Sequence, residues 1–208
     1  MKLYIMRHGE TDWNKERRLQ GQADIPLNEF GREIAAQTGV GMNGISFEHI
    51  YTSPLVRAKE TAVIVSGRTD VCEDDRLKEM SFGEYEGLCC AKDNWEIPDP
   101  NFEHFFFAPD QYAPPAGGDS FAAVIERVTD FLEDIRKKHS AMEGNILIVC
   151  HGVVVNAFLG IIKGRALKDF WDNKVQKNCE VNIAEVHNNE IRFLQEGVTY
   201  YQDEVKPW

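Results

Sequence analysis

No run in this 208-residue chain approaches the roughly 18 apolar residues that a membrane span needs, and the first apolar run, Leu3 to Met6, is too short for a signal peptide. Cysteine is sparse. The five thiols are an odd number and include no C-x-x-C pair, so neither a disulfide framework nor a dithiol redox motif is expected. The neighbours Cys89 and Cys90 would bridge only with strain and read as two thiols. Positive charge is also scarce: 23 Lys and Arg against 34 Asp and Glu leave a net charge of −11, the wrong sign for non-specific nucleic-acid binding. The short groups Lys15/Arg17/Arg18 and Arg136/Lys137/Lys138 read as solvated faces. There is no P-loop and no G-x-S-x-G. One G-x-G-x-x-G match, Gly39 to Gly44, ends a helical pattern and precedes a strand, the reverse of a dinucleotide site, and reads as a helix stop. These absences point to a soluble, cytoplasmic protein with a small-molecule partner, and with neither nucleic acid nor membrane.

What is present is an alternation of strands and helices. Strands are expected at Lys2–Met6, Phe47–Thr52, Asp70–Glu73 and Asn145–Cys150, and a hairpin is expected from Val181–Val186 and Glu190–Gln195 around His187-Asn188-Asn189. Asn28 opens a helix that buries Phe30, Ile34, Ala35 and Thr38, and Ser120 opens another through Phe121, Val124, Val128, Phe131 and Ile135. A third helix, expected to start at Ser53-Pro54, runs to about Ser66, and a fourth spans Val153 to Ile162. The alternation predicts a three-layer α/β/α fold with a mostly parallel central sheet. Residues 94–118 differ in texture, holding five of the eight prolines and four of the twelve phenylalanines, which suits a cover and not a sheet strand. The expected organisation is one domain over 1–208, with an inserted lid at about 85–118.

Two apolar strands end in the same way, Met6-Arg7-His8-Gly9 and Val149-Cys150-His151-Gly152. In open α/β sheets the carboxyl ends of the strands are where ligands bind, and the amides that open the second helix favour an anion. Arg57 falls in the first turn of its helix, where a cation opposes the helix dipole by about 0.3–1 kcal/mol. It either faces an anion or pairs with Glu60. Two arginines and two histidines make a pocket for a doubly charged anion in an otherwise acidic chain. Arginine's planar fork matches phosphate, and a neutral imidazole nitrogen can attack phosphorus. The opposing histidine and the arginines would stabilise the transferring group, and a carboxyl group such as Glu79 could protonate the leaving oxygen.

These residues resemble the histidine phosphatase superfamily, also called phosphoglycerate-mutase-like. Its Arg-His-Gly hallmark is similar to RHGETDWN, its downstream arginine to Arg57 in TSPLVRAKETA, its acid to Glu79 in LKEMSFGEYEG and its second His-Gly to His151 in VCHG, in the same order. The resemblance implies His8 as the phosphorylated nucleophile and Glu79 as the proton donor, with Arg7, Arg57 and His151 holding the phosphoryl group. It implies Asn14 and the Gly152 amide as completing the pocket, Gln20-Gly21 as a substrate-contacting loop, and neither cofactor nor metal. Cys150, Val153 and Asn156 depart from the commoner Ser or Thr, Gly and Arg of phosphatase relatives.

The superfamily holds both mutases and phosphatases. A phosphoglycerate mutase needs extra cations for its carboxylate substrate, yet residues 93–119 contain no Lys or Arg. They carry Asp93, Glu96, Asp99, Glu103, Asp110 and Asp119 among aromatics. An acidic, aromatic lid is expected to suit a less anionic, partly apolar leaving group, so a phosphomonoester phosphatase is expected, with a cofactor-dependent mutase as the alternative. LKEMSFGEYEG is also similar to the branch that dephosphorylates α-ribazole phosphate, which makes that ester a candidate substrate. Two other classes stay open: a metallohydrolase using His8, His151 and Glu79, disfavoured by the adjacent arginines, and a phosphate-binding protein without turnover. His104, in the lid, is a further candidate contact; His49, His139 and His187 read as surface or internally satisfied residues.

Overall fold

Leu3 and Ile5 point to one side of the first strand and Tyr4 and Met6 to the other, and all four are buried. A strand that is apolar on both faces must lie between two layers. In the computed structural model, which describes residues 1–141, 143–172, 174–187 and 190–202, it does. The strands are β1 (Lys2–Arg7), β2 (Phe47–Thr52), β3 (Cys72–Glu73), β4 (Cys90–Ala91), β5 (Asn94–Trp95), β6 (Asn145–Cys150), β7 (Val181–His187) and β8 (Glu190–Val198). The helices are α1 (Asp12–Lys15), α2 (Glu29–Gly41), α3 (Val56–Ser66), α4 (His104–Phe107), α5 (Phe121–Lys138) and α6 (Gly152–Lys163), with several short 3-10 turns between them.

Six strands form the central sheet in the order β3-β2-β6-β1-β7-β8. β3, β2, β6 and β1 pair in parallel. β7 pairs antiparallel with both β1 and β8, so β7 alone runs against the rest. Leu3, Ile5, Ile146 and Ile148 pack under α5 and α6, with Val124, Phe131 and Phe158. Tyr4, Met6, Leu147 and Val149 pack under α2 and α3, with Ile34, Ala35, Ala58 and Ala62. The three-layer expectation therefore holds, and Asn28 and Ser120 cap α2 and α5 through their side chains.

Three local expectations need correction. Ser53 still continues the ladder between β2 and β6, its amide bonded to the Val149 carbonyl, and α3 starts at Val56 and not at Pro54. Its N-terminus is capped from a distance: Asp24 Oδ1 accepts the Val56 amide at 2.7 Å. The third strand shortens to the two residues that pair with Tyr51 and Thr52 at the sheet edge. Residues 94–118 do avoid the central sheet, but β5 forms a small hairpin with β4. The rest of the segment is not a loose flap, because Phe102 and Phe105 are buried in the same core as α5 and α6. At the other end, Tyr201 is anchored by donating to the Asn178 carbonyl at 2.7 Å. The remainder of the tail, 203–208, and Asn188 and Asn189, where the hairpin turn is expected, lie outside the described residues.

The loop after β1 is fixed by backbone contact with α2. A Cβ on Gly31 would stand 2.1 Å from the Glu10 carbonyl oxygen, and one on Gly9 would stand 2.5 Å from the Gly31 oxygen. An exposed Gly-to-Ala change inside a helix ordinarily gains about 1 kcal/mol. Gly31→Ala is expected instead to lose about 1–3 kcal/mol, because backbone and not a flexible side chain must move. Urea unfolding reads this directly; an unchanged or raised midpoint would show that α2 is free to shift.

Candidate active site

The register of the sheet assembles the site. Arg7 pairs with Cys150 at the ends of β1 and β6, so the next residues, His8 and His151, emerge side by side with ring centroids 5.1 Å apart. The His8 amide continues the ladder to the Cys150 carbonyl at 3.0 Å. α3 delivers Arg57, the loop before the 3-10 turn Gly83–Tyr85 delivers Glu79, and α1 with the loop after it delivers Asn14 and Gln20. Arg7, His8, Asn14, Gln20, Glu79 and Gly152 line one cleft of about 60 Å³. Arg57 and His151 are fully buried beside His8, with Arg57 Nε 3.2 Å from its Nε2 and the two imidazole centroids 5.1 Å apart. Gly21 does not line the cleft; its carbonyl accepts from Arg57 Nη2 at 2.7 Å, while Ala23 accepts from Nη1 at 2.8 Å. Arg57 does not pair with Glu60, which bonds Arg32 instead.

The protonation of His8 is written in its partners. Nδ1 lies 2.6 Å from the Gly9 carbonyl, which can only accept, so Nδ1 carries the hydrogen. Arg57 Nε, which can only donate, lies 3.2 Å from Nε2. Nε2 therefore presents its lone pair. Burial, then the charges of Arg57 and Arg7, push the His8 pKa well below the ordinary histidine range, against the bond to Gly9 that raises it. His151 is lowered likewise, by burial and then chiefly by Arg57. Both of its ring nitrogens are buried without a hydrogen-bond partner among the described residues.

Glu79 shifts the other way. Burial raises its pKa, opposed by the amides of Met80 and Val153, which donate to its two oxygens at 2.9 and 3.2 Å, and by the Arg57 and Arg7 charges. A Cβ on Gly152 would lie 3.7 Å from both Arg7 Nε and Glu79 Oε2, so this glycine stands beside both the cation and the acid. Burial also lowers Arg57, to about 10. Among the described residues no group of three or more His, Cys, Asp and Glu side chains is arranged to hold a metal ion.

The two buried histidines make stability depend on pH. Their folded-state pKa values lie below the unfolded value, so the unfolded chain binds more protons as pH falls through about 6.5. Stability is expected to drop from about pH 6.5 downward, and His151→Gln is expected to flatten that slope by up to one proton in that interval. Unfolding midpoints from pH 7 to 5 measure it; parallel slopes in wild type and variant would contradict the neutral burial of His151.

The rest of the cleft is apolar: Leu19, Phe82, Phe105, Phe106, Val153 and Trp171 face it. Trp171 Nε1 donates to the Phe105 carbonyl at 2.5 Å and locks the segment carrying Phe105 and Phe106 in place. The acidic residues of the cover, expected to face substrate, do not line the cleft. Asp99 caps a 3-10 turn, Glu96 accepts the Cys89 amide and Asp119 accepts the Ser81 amide. His104 is not a lining residue either, although its neighbours Phe105 and Phe106 are. His139 is satisfied by the Tyr51 hydroxyl at 2.9 Å. Cys150 is buried at the strand end with its pKa raised by burial.

Several supporting residues carried no local signal. Gln176 accepts from Arg7 Nη1 through its carbonyl at 2.7 Å, and Thr61 Oγ1 accepts the Gly9 amide at 3.0 Å. Asn178 Nδ2 donates to the His8 carbonyl at 3.0 Å. Glu86 clips the Gln22 and Ala23 amides at 2.8 and 2.7 Å, which holds the carbonyls that grip Arg57.

Comparison with known proteins identifies the family. The profile of the family described as "Histidine phosphatase superfamily (branch 1)" matches residues 3–199. A metal-independent phosphoserine phosphatase from Arabidopsis thaliana is 34% identical over 227 residues, covering 99% of this chain and 89% of its own. Phosphoglycerate mutase-like protein 4 from the same plant is 30% identical over 216 residues, covering 94% and 90%. Among solved structures, Bacillus stearothermophilus YhfR superposes with a TM-score of 0.87 at 37% identity, covering 96% of this chain and 98% of that one.

Proposed function

The chain belongs to the histidine phosphatase superfamily (branch 1), and from that premise we propose that it is a metal-independent phosphomonoester hydrolase working through a phosphohistidine on His8. The observation that carries the reading is the preset tautomer of His8: Nδ1–H is tied to Gly9, which leaves the lone pair on Nε2, where it accepts from Arg57 Nε until a phosphoryl group takes over that donor. In the first step Nε2 attacks phosphorus, the bond from phosphorus to the ester oxygen breaks, and Glu79 gives its proton to the leaving oxygen. Arg7, Arg57 and His151 donate to the phosphoryl oxygens as charge spreads over them, and Asn14, Gln20 and the Gly152 amide close the site. In the second step water attacks phosphorus, the Glu79 carboxylate takes its proton, and the P–N bond breaks. The guanidinium groups supply the positive charge that a metal would otherwise bring.

Hydrolysis is favoured over mutase action by the cleft walls. Arg7 is the one Lys or Arg among the described lining residues, and the remaining surface is largely aromatic and aliphatic. Such walls stabilise an apolar leaving group and leave a second carboxylate without a partner. Residues 85–118 act in this reading as the cover of a single domain, supplying Phe105 and Phe106 to the cleft.

The test is turnover in the presence of a chelator. 4-Nitrophenyl phosphate is expected to be hydrolysed with EDTA present, with kcat/KM at least about tenfold above that for 3-phosphoglycerate or phosphoserine, the discrimination an apolar pocket ordinarily gives. α-Ribazole phosphate, whose leaving group carries an aromatic base, belongs in the same series. Loss of turnover with chelator would establish a metallohydrolase. Interconversion of phosphoglycerates outpacing hydrolysis would establish a mutase, and phosphate binding with no turnover of any ester would leave a binding protein.

A further inference from the structure

Three side-chain amides form a chain that runs from behind the cleft to its wall, and groups that can only donate or only accept fix which way each one points. Asn178, on the loop before β7, is buried, and its Nδ2 donates to the His8 carbonyl at 3.0 Å and to Asn14 Oδ1 at 3.2 Å. Asn14 Oδ1 also accepts the Thr11 amide at 3.2 Å, so Asn14 Nδ2 must face the other way, where it meets Gln20 Oε1 at 3.1 Å. Thr11 Oγ1 receives the Asn14 amide and gives its own hydrogen to the same Gln20 oxygen at 2.8 Å. With Oε1 doubly engaged, the Gln20 amide cannot flip. Its Nε2 is left buried without a partner among the described residues, on a side chain that lines the cleft beside His8 and Glu79. An orphaned buried donor is costly, and the cost is offset when a ligand oxygen accepts from it.

We propose that Asn178 is a positioning residue: by holding Asn14 it sets the orientation of the Gln20 amide, so that Gln20 Nε2 donates to an oxygen of the bound phosphomonoester. Asn178 touches no substrate itself. It joins two pieces of chain far apart in sequence, the loop that carries the nucleophile and the segment entering β7, and the segment is braced in turn by the Tyr201 hydroxyl on the Asn178 carbonyl. The inference rests on the phosphatase reading of the site, but it predicts a coupling that this reading alone does not require.

The test is a double-mutant cycle on Asn178→Ala and Gln20→Ala, with Asn178→Asp as the variant that keeps volume and loses the donor. Unfolding midpoints are measured beside each. Asn178→Ala is expected to lower kcat/KM for 4-nitrophenyl phosphate about five- to tenfold, the worth of one well-placed hydrogen bond, and to cost less than about twofold once Gln20 is already alanine. Asn178→Asp, with two acceptors facing the His8 and Asn14 oxygens, is expected to lose at least as much. Equal factors in both backgrounds would overturn the proposal, because they would mean that Asn178 acts only on the His8 loop or on overall stability. Should Asn178→Ala fail to fold, the cycle is run with Asn178→Asp. The same four proteins titrated with orthovanadate keep the two readings apart. If wild type fails to turn over, the phosphatase reading falls, while weaker vanadate binding in Asn178→Ala that disappears in the Gln20→Ala background still supports the positioning role, and its absence refutes it.

Discussion

His8→Ala is expected to lower kcat for 4-nitrophenyl phosphate by at least about 10⁴-fold, the scale on which removal of a covalent nucleophile acts in enzymes of this kind. His8 is the one imidazole of the pair whose hydrogen is committed to a backbone carbonyl, leaving the lone pair on Nε2 beside the Arg57 guanidinium that would hold a phosphoryl oxygen. Neither ring nitrogen of His151 has such a partner among the described residues, so its tautomer is not preset. The fold should persist, because the loop is held by backbone and side-chain bonds that the substitution leaves in place: the His8 amide to Cys150, the His8 carbonyl to Asn178, and the Gly9 amide to Thr61. A folded variant that retained more than about one part in 10² of wild-type turnover would move the nucleophile elsewhere.

Glu79→Gln should divide substrates by their leaving groups. An alkyl phosphate leaves as a strongly basic alkoxide and needs the Glu79 proton, so its turnover should fall about 10²- to 10⁴-fold. 4-Nitrophenolate needs no proton, so phosphorylation of His8 should survive. Hydrolysis of the phosphoenzyme should not, because glutamine cannot take a proton from the attacking water. The aryl ester should then give a burst of nitrophenol followed by slow release. The pH profile carries the same information. The carboxyl group is raised by burial, so it stays protonated to higher pH than an exposed glutamate and loses its proton as pH climbs through that raised value. Wild-type activity toward an alkyl ester should therefore fall on the alkaline side, and that limb should be missing from Glu79→Gln. An unchanged alkaline limb would assign the proton to another group.

The parts of this account that were legible in the chain rest on strong local chemistry. The apolar strands ending in His8-Gly9 and His151-Gly152 declared a buried parallel pair with its working end marked. Asn28 and Ser120 announced α2 and α5 because their side chains cap the very next turn. The start of α3 is not legible locally, because its cap comes from Asp24, more than thirty residues away, and no local pattern encodes that bond. The acidic character of 93–119 was plain, but its direction was not: composition cannot tell a carboxylate facing a cleft from one capping a turn, and here the aromatics face inward. Asn178, Thr61 and Glu86 escaped notice for the same reason. Each matters through a partner distant in sequence, and an Asn or Glu in a loop has no periodicity to betray it.

The central claim is a covalent phosphoryl group on His8 Nε2. Wild-type protein mixed with 4-nitrophenyl phosphate, quenched within milliseconds in base and digested for mass spectrometry tests it most directly. A phosphoryl adduct confined to the peptide bearing His8, stable in base, labile in acid and absent from His8→Ala, is the expected result. An adduct on any other residue, or steady turnover by a protein that never carries the group, would contradict it.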